Sequence, residues 1–381
     1  MTVEFEIVDS PRRLEEVIDL VRRADAVAID TEFARFNTYY PIVGLIQIYD
    51  GIQCYLIDPL EVAELGPIAD LLEDKSVVKV FHACSEDLEV FQHILEALPV
   101  PLFDSQVAAA ALGISFSIGY QKLVEHFLDL SISKEETRSD WLQRPLTPAQ
   151  LEYAALDVIH LLDIYRKQVD ELEMRGKLSW VQEECAGMTV SIATELDPQI
   201  AYQRLKGTAK LNQESLYLVA TLCAWRETKA RALDVPRNRV IDEKSVLSLA
   251  QLDFLDVGGL HKHTTLTSRQ VRQFGDEIIL LLESARAKPA AQRPVIVDPE
   301  GMPVSNSLMK QLKLKVSETA ESVQIAPEML ARRRHLEQIL RSGMDTGHYQ
   351  LPKAMCGWRK TVIGDDLIAL LTRQGGALSA V

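Results

Sequence analysis

The sequence predicts an α/β domain, a mixed sheet with flanking helices, followed by two small all-α domains. Three observations predict it. Short apolar runs of strand length alternate with helical patterns through the first 200 residues. Asp50-Gly51 joins two of the strands by a short turn, so part of the sheet is antiparallel. Beyond Asp197-Pro198 the patterns are helical only, broken by a proline-rich stretch over 286–304. The boundaries are read as 1–203, 204–290, a linker at 291–304, and 305–381.

In order, Pro11 to Arg23 places Leu14, Val17, Ile18 and Val21 at helical spacing behind Ser10-Pro11, a helix start. Ala26 to Phe33 is an apolar strand interrupted by two carboxylates. Side chains alternate along a strand, so Asp30 and Glu32 share one face, and Val27, Ile29, Thr31 and Phe33 take the other. Gly44–Tyr49 and Gln53–Ile57 are the hairpin strands. Leu60 to Glu73 reads as a helix, and Val77 to Phe81 as a central strand. After it come His82 and then Ser85, an N-cap that would set Asp87 in the first turn of the next helix. Phe103 to Leu112 and Ile118 to Leu128 read as helices, and Ser131 to Pro148 as a polar loop carrying Lys134, Arg138 and Trp141.

Thr147-Pro148 opens a long helix, with Leu151, Ala155, Val158, Leu162 and Tyr165 as its core stripe. Tyr153 and Asp157, four apart, share a second face. Helical patterns continue to about residue 197. Leu211 to Ala232 and Asp242 to Ala250 are helices of the next domain, with a basic loop at Pro236 to Arg239. Trp225 reads as a core residue there. Residues 305–381 are helical again, with Arg332-Arg333-Arg334 as a basic cluster.

Composition narrows the function. The chain has 381 residues, 47% hydrophobic and 25% charged, and no apolar run approaches the roughly 20 residues of a membrane span. Its N-terminal stretch is acidic and lacks a signal-peptide pattern. Five cysteines are scattered without Cys-x-x-Cys spacing, which argues against zinc and a disulfide framework and for a reducing cytoplasm. Residues 1–203 carry 15 basic against 36 acidic groups, a net −21. Residues 204–381 carry 26 against 19, a net +7, which completes the −14 of the whole chain. An acidic front with a basic back suggests metal and chemistry in front, phosphate attraction behind.

Alone, an Asp-x-Glu is weak evidence. Four carboxylates, Asp30, Glu32, Asp87 and Asp157, at the ends of core elements are stronger. They suit two hard divalent cations, Mg2+ or Mn2+, of the kind that clamp the attacking and leaving oxygens of phosphoryl displacement. Tyr153 could orient the attacking water without adding charge.

The segments Ile29 to Phe33, Phe81 to Asp87 and Tyr153 to Asp157 resemble the three motifs of DEDDy 3′→5′ exonucleases. The run from Lys134 through Val158, with Arg138-Ser139-Asp140-Trp141-Leu142-Gln143-Arg144-Pro145-Leu146, is similar to the ribonuclease D family. Leu216 through Leu249 resembles an HRDC domain, a helical nucleic-acid-binding module. Residues 327–359 resemble that family's second, more divergent helical domain. The resemblance implies an RNase H-like fold and two-metal hydrolysis of 3′-terminal nucleotides from RNA, tRNA precursors included, with release of nucleoside 5′-monophosphates. It implies that Asp30, Glu32 and Asp157 hold one ion, that Asp30 also reaches the second, and that Asp87 acts on that side. Tyr153 would be the fifth catalytic residue. Lys134 and Arg138 become candidates for phosphate contact, Phe33 for packing on the terminal base, and Thr31 and His82 for further substrate contact. RNA is the expected partner, with no membrane. The oligomeric state stays open, with a monomer favoured. Two other readings stay open: an exonuclease on DNA, since nothing in the metal site reads the 2′-hydroxyl, and a non-catalytic RNA-binding protein on a nuclease fold. Residues 1–203 are expected to hydrolyse short RNA by themselves.

Overall fold

A computed structural model describes residues 4–132, 139–195, 197–209, 211–252, 256–297, 304–344 and 346–378. They form two compact units. One comprises Met1–Ala34, Ile42–Ile192 and Val304–Val381, the other Arg35–Pro41 and Ala193–Pro303. No helix among the described residues is long and apolar enough to cross a membrane.

The first unit is built on a six-stranded sheet: β1 Phe5–Val8, β2 Ala26–Ala34, β3 Ile42–Tyr49, β4 Cys54–Ile57, β5 Val78–Phe81 and β6 Leu102–Asp104, in the order β1-β4-β3-β2-β5-β6. β2–β3 and β3–β4 are antiparallel, and the other three pairings are parallel. Flanking it are α1 Pro11–Val21, α2 Gly66–Glu73, α3 Ser85–Leu95, α4 Ser105–Ala111, α5 Tyr120–Leu128, α6 Pro148–Ile159, α7 Leu161–Met174 and α8 Leu178–Glu195.

Register explains where the site lies. β2 pairs along nearly its whole length with β3 on one side. On the other, only Ala26 to Ala28 pair with β5. Residues 30–32 therefore run past the end of β5, leaving that flank to the helix that follows it.

Several expectations shift. β1 is a strand that the acidic N-terminal stretch concealed, since four residues are too few to show a period. The helix expected from Leu60 starts at Gly66, because Pro67 lacks an amide proton and fits only a first turn. Phe103 belongs to β6, not to the helix after it. Ser85 is the first residue of α3 and not its N-cap, which is Cys84. The long helix from Pro148, read through Tyr165, breaks at His160, and the helical pattern after it breaks again near Gly176, whose φ is +65°.

The second unit contains α9 Gln213–Ala232, α10 Arg237–Val240, α11 Glu243–Leu249, α12 Val257–His263 and α13 Ser268–Ala287. Four of these start at side-chain caps. Asn212, Asp242, Asp256 and Thr267 accept the amides of Ser215, Ser245, Gly259 and Gln270. Trp225 is half-buried, edge-on to Phe274, with its indole N–H on Glu277 at 2.9 Å. Its core includes Leu216, Val219, Leu222, Val246 and Ile278.

The C-terminal helices, α14 Asn306–Val323, α15 Pro327–Leu330, α16 Arg333–Ser342 and α17 Asp365–Leu378, belong to the first unit. Their Leu312, Leu330, Ile339 and Leu367 share one core with the sheet. Trp358 stacks on Trp180 at 4.7 Å, and Arg359 clasps both oxygens of Glu184. Residues 1–203 therefore do not coincide with a compact unit. Ending the chain at 203 would uncover apolar surface that these helices bury.

Candidate active site

Asp30 and Glu32 project from β2 toward α6, and α6 carries Asp157. A carboxylate oxygen from each of the three lies within 4.8 Å of the others. Local sequence produces this meeting. Thr147 and Gln150 cap α6 reciprocally: the Thr147 hydroxyl accepts the Gln150 amide at 3.2 Å, and the Gln150 side chain accepts the Thr147 amide at 3.0 Å. Ala154 and Ala155, both fully buried, let the helix approach the sheet closely. Tyr153 then stands one turn before Asp157.

Asp87 arrives from the other flank, in the first turn of α3, and is 6% exposed. The Thr31 hydroxyl donates to it at 2.5 Å. The bend before α3 is held by Asp104, which accepts the amides of Ala83 at 3.2 Å and Cys84 at 2.9 Å. Ala83 sits at φ +58°, so the bend is strained and needs this anchor. Asp104 also caps α4 through Gln106 and Val107. One buried carboxylate thus fixes the starts of two helices, and with them Asp87.

Electrostatics set this cluster apart. Burial pushes the Asp30 carboxyl well above the usual carboxylate range, and Asp87, Asp157 and Glu32 push it further. Glu32 is raised by burial, then by Asp157 and Asp87. Asp157 is raised by burial, and the Tyr153 hydroxyl offsets part of that. Asp87 is raised by burial, with the Thr31 hydrogen bond opposing. The largest influences on all four are burial, hydrogen-bonding groups and other carboxylates, none of them a lysine or arginine. Like charges this close are costly without a cation. The donor set is all oxygen, which fits hard divalent ions.

Tyr153 is half-buried, and its phenol is raised by burial and then by Asp157 and Glu32, so it stays protonated at neutral pH. Its ring lies 6.1 Å from that of Trp141. Trp141 is 3% exposed, despite its place in a polar stretch. Arg144 holds it there. The guanidinium donates to the Trp141 carbonyl at 3.0 Å, to the Gly44 carbonyl at 2.7 Å, and to both Asp58 oxygens at 2.5 and 2.6 Å. Gly44 is required by contact: a Cβ would meet the Trp141 carbonyl oxygen at 2.4 Å. Sequence reasoning missed this support for Tyr153. A tryptophan beside Arg144-Pro145 in a polar loop was its only signal.

Tyr120 was missed too. Its hydroxyl donates to the Leu156 carbonyl at 3.2 Å, and its phenol is raised by burial, then by Asp157 and Asp30. Its ring lies 5.6 Å from His82. His82 Nδ1 is 2.8 Å from the Ser105 hydroxyl, and burial lowers its pKa despite the opposing charge of Asp104. Thr31, expected near substrate, donates its hydroxyl to Asp87. Phe33 is half-buried just past a β-bulge between Glu32 and Phe33, which ends the strict alternation of faces there. Lys134 and Arg138 lie outside the described residues.

Comparison with known proteins agrees with this geometry. Residues 5–173 match a 3′-5′ exonuclease family model, 215–282 an HRDC domain model, and 303–367 the ribonuclease D C-terminal HRDC domain model. The ribonuclease D of Pseudomonas paraeruginosa (strain DSM 24068 / PA7) is 44% identical, covering 91% of this chain and 92% of its own. That of Shewanella sp. (strain ANA-3) is 36% identical, covering 96% and 94%. The crystal structure of Escherichia coli RNase D, described as an exoribonuclease involved in structured RNA processing, superposes with a TM-score of 0.89. It is 34% identical over 97% of this chain and 99% of its own. The exonuclease family is divalent-metal dependent, and the acidic cluster that this requires is present. The fold, the cluster and these matches together place the chain in the ribonuclease D family of 3′→5′ exoribonucleases.

Proposed function

We propose that Asp30, Glu32, Asp87 and Asp157 hold two divalent cations, Mg2+ or Mn2+, and that Tyr153 orients the water that attacks the 3′-terminal phosphodiester of RNA. The observation that carries this is the trio of carboxylates within 4.8 Å, all raised by burial, with Asp30 and Glu32 raised further by their carboxylate neighbours. Bound there, the ions would supply positive charge to the attacking and leaving oxygens. Asp30 stands among all three other carboxylates, which suits it to both ions. Thr31 and Asp104 keep Asp87 in place. Tyr153, protonated and backed by Trp141, offers a hydroxyl that aligns water and cannot serve as a base. Phe33 and His82 are the described candidates for contact with the terminal nucleotide, and Lys134 and Arg138 the candidates for phosphate contact. Residues 204–381, at +7, supply phosphate attraction. Product is nucleoside 5′-monophosphate, substrates include 3′ ends of tRNA precursors, and the compartment is the cytoplasm.

The test is 5′-labelled RNA and DNA, each with free or blocked 3′ ends, with Mg2+ or chelator. RNA with a free 3′ end should shorten stepwise and release mononucleotides only with metal. Cutting of blocked ends, or activity in chelator, would overturn the reading. Faster trimming of DNA would replace RNA as the substrate.

A further inference from the structure

Gln47 lies in the middle of β3, between Ile46 and Ile48, and is fully buried. Neither its amide oxygen nor its amide nitrogen has a hydrogen-bond partner. Among the described buried side chains, no other amide is left unsatisfied at both ends; Gln168 lacks a partner only at its oxygen, its nitrogen donating to the Ser105 carbonyl at 2.9 Å. A buried amide with no partner destabilises a fold, and an apolar side chain here would suit the strand better. No hydrogen bond within the described fold accounts for this residue.

Its position does. In the β2–β3 ladder, Gln47 is the cross-strand partner of Asp30. Directly opposed residues of an antiparallel pair project to the same face with Cβ atoms about 5 Å apart. The amide therefore shares Asp30's face, under α6, which packs on β2, β3 and β4. Two N–H donors on a neutral group can hold an ionised carboxylate without bringing a positive charge that would compete with cations. A lysine at this place would neutralise the cluster, and a glutamate would add to its repulsion.

We propose that Gln47 is a positioning residue for Asp30: its amide N–H donates to the Asp30 carboxylate and aims it toward the metal. This rests on the metal reading above. Groups that orient a metal ligand from behind are commonly worth 10- to 100-fold in metal affinity.

The experiment is Gln47→Met in the full chain, read by Mn2+ titration calorimetry without RNA and by thermal unfolding in chelator. Methionine keeps the length and removes the amide. Mn2+ affinity should fall about 10-fold or more, while the melting temperature in chelator holds or rises, since an unsatisfied polar group has been removed. A purely structural glutamine would give a lower melting temperature with unchanged Mn2+ affinity, and that overturns the inference. Gln47→Asn, which withdraws the amide by one methylene, decides the matter if the methionine variant does not fold: unchanged affinity there also overturns it. If the parent chain itself binds no Mn2+, the metal reading fails. If the parent binds and Gln47→Met binds equally, only the role of Gln47 fails.

Discussion

Glu227 in the second unit and Glu32 in the first are carboxylates crowded by other ionisable groups, and the fold treats them oppositely. Glu227 is 1% exposed. Arg237 grips it through Nε at 2.5 Å and Nη2 at 2.8 Å, Arg231 donates at 2.8 Å, and the Tyr39 hydroxyl completes the shell. Burial alone would raise its pKa; the hydrogen bonds of Arg237, Tyr39 and Arg231 overcome that and hold it down at about 2. Burial and then Asp157 and Asp87 push Glu32 up. One cluster is closed by its own cations and serves to join segments: Tyr39 belongs to Arg35–Pro41, whose backbone is also tied to Asp234 at 3.0 Å. The other gathers carboxylates whose pKa values burial raises. A buried carboxylate is thus evidence of a functional site when its neutralising partner is missing, and of architecture when the partner is present.

The sharpest break of that contrast is Asp30→Asn. It removes the group argued to touch both cations, so turnover should be abolished, with Glu32→Gln and Asp157→Asn nearly as severe and RNA binding largely kept. Single-turnover rates with labelled RNA check this, and near-normal turnover for Asp30→Asn would remove the two-metal assignment. Next comes Tyr153→Phe, which keeps the ring against Trp141 and loses the hydroxyl. A loss of about 10²–10⁴ in rate is expected, with Mn2+ affinity retained. Equal rates when chemistry limits would take the water-orienting role from Tyr153.

On the closed side, Glu227→Gln leaves two guanidinium groups without their carboxylate. Stability should fall by about 3 kcal/mol, the lower end for a broken buried pair because Arg237 is partly exposed. Denaturant unfolding measures it, and a change within error would mean that the cluster is worth no more than a surface pair.

The smallest effect, and the most diagnostic, is the pH dependence of stability. In chelator, Asp30, Glu32 and Asp157 have folded pKa values above their unfolded ones. The native state then binds more protons than the unfolded chain, so their contribution is present below the unfolded carboxylate range and is lost as pH rises toward the raised values. Glu227 has the opposite sign. Its contribution is present above an ordinary 4.5 and is lost as pH falls toward 2. Melting temperature in chelator should therefore fall from pH 5 to pH 8, and Mg2+ should restore more at pH 8 than at pH 6. Glu32→Gln should flatten the high-pH loss and Glu227→Gln the acid loss. An Mg2+ effect independent of pH would detach the cations from these carboxylates.

What was legible in the sequence was local. Asp30 and Glu32 share a face because alternation is a property of any strand. Tyr153 and Asp157 share one because a helix repeats near four. Thr147-Pro148 and Asp242 announce helix starts because a capping side chain satisfies amides a few residues away. The motifs carried the family because chemistry fixes residue types at such positions. Where local rules run short, elements were lost: four-residue β1 has no measurable period, and the break at His160 leaves the helical spacing of apolar residues almost unchanged.

Tertiary structure decided the rest. It joined α14 to α17 to the sheet through Trp180, Trp358, Glu184 and Arg359, although more than 100 residues separate them in the chain. It assigned Arg35–Pro41, which directly follows the catalytic strand, to the other unit. It turned Trp141 from a loop residue into the support of Tyr153, and it set Gln47 across from Asp30. Each of these depends on which groups meet across long sequence separations, where burial and hydrogen-bond satisfaction are settled by partners and not by neighbours in the chain.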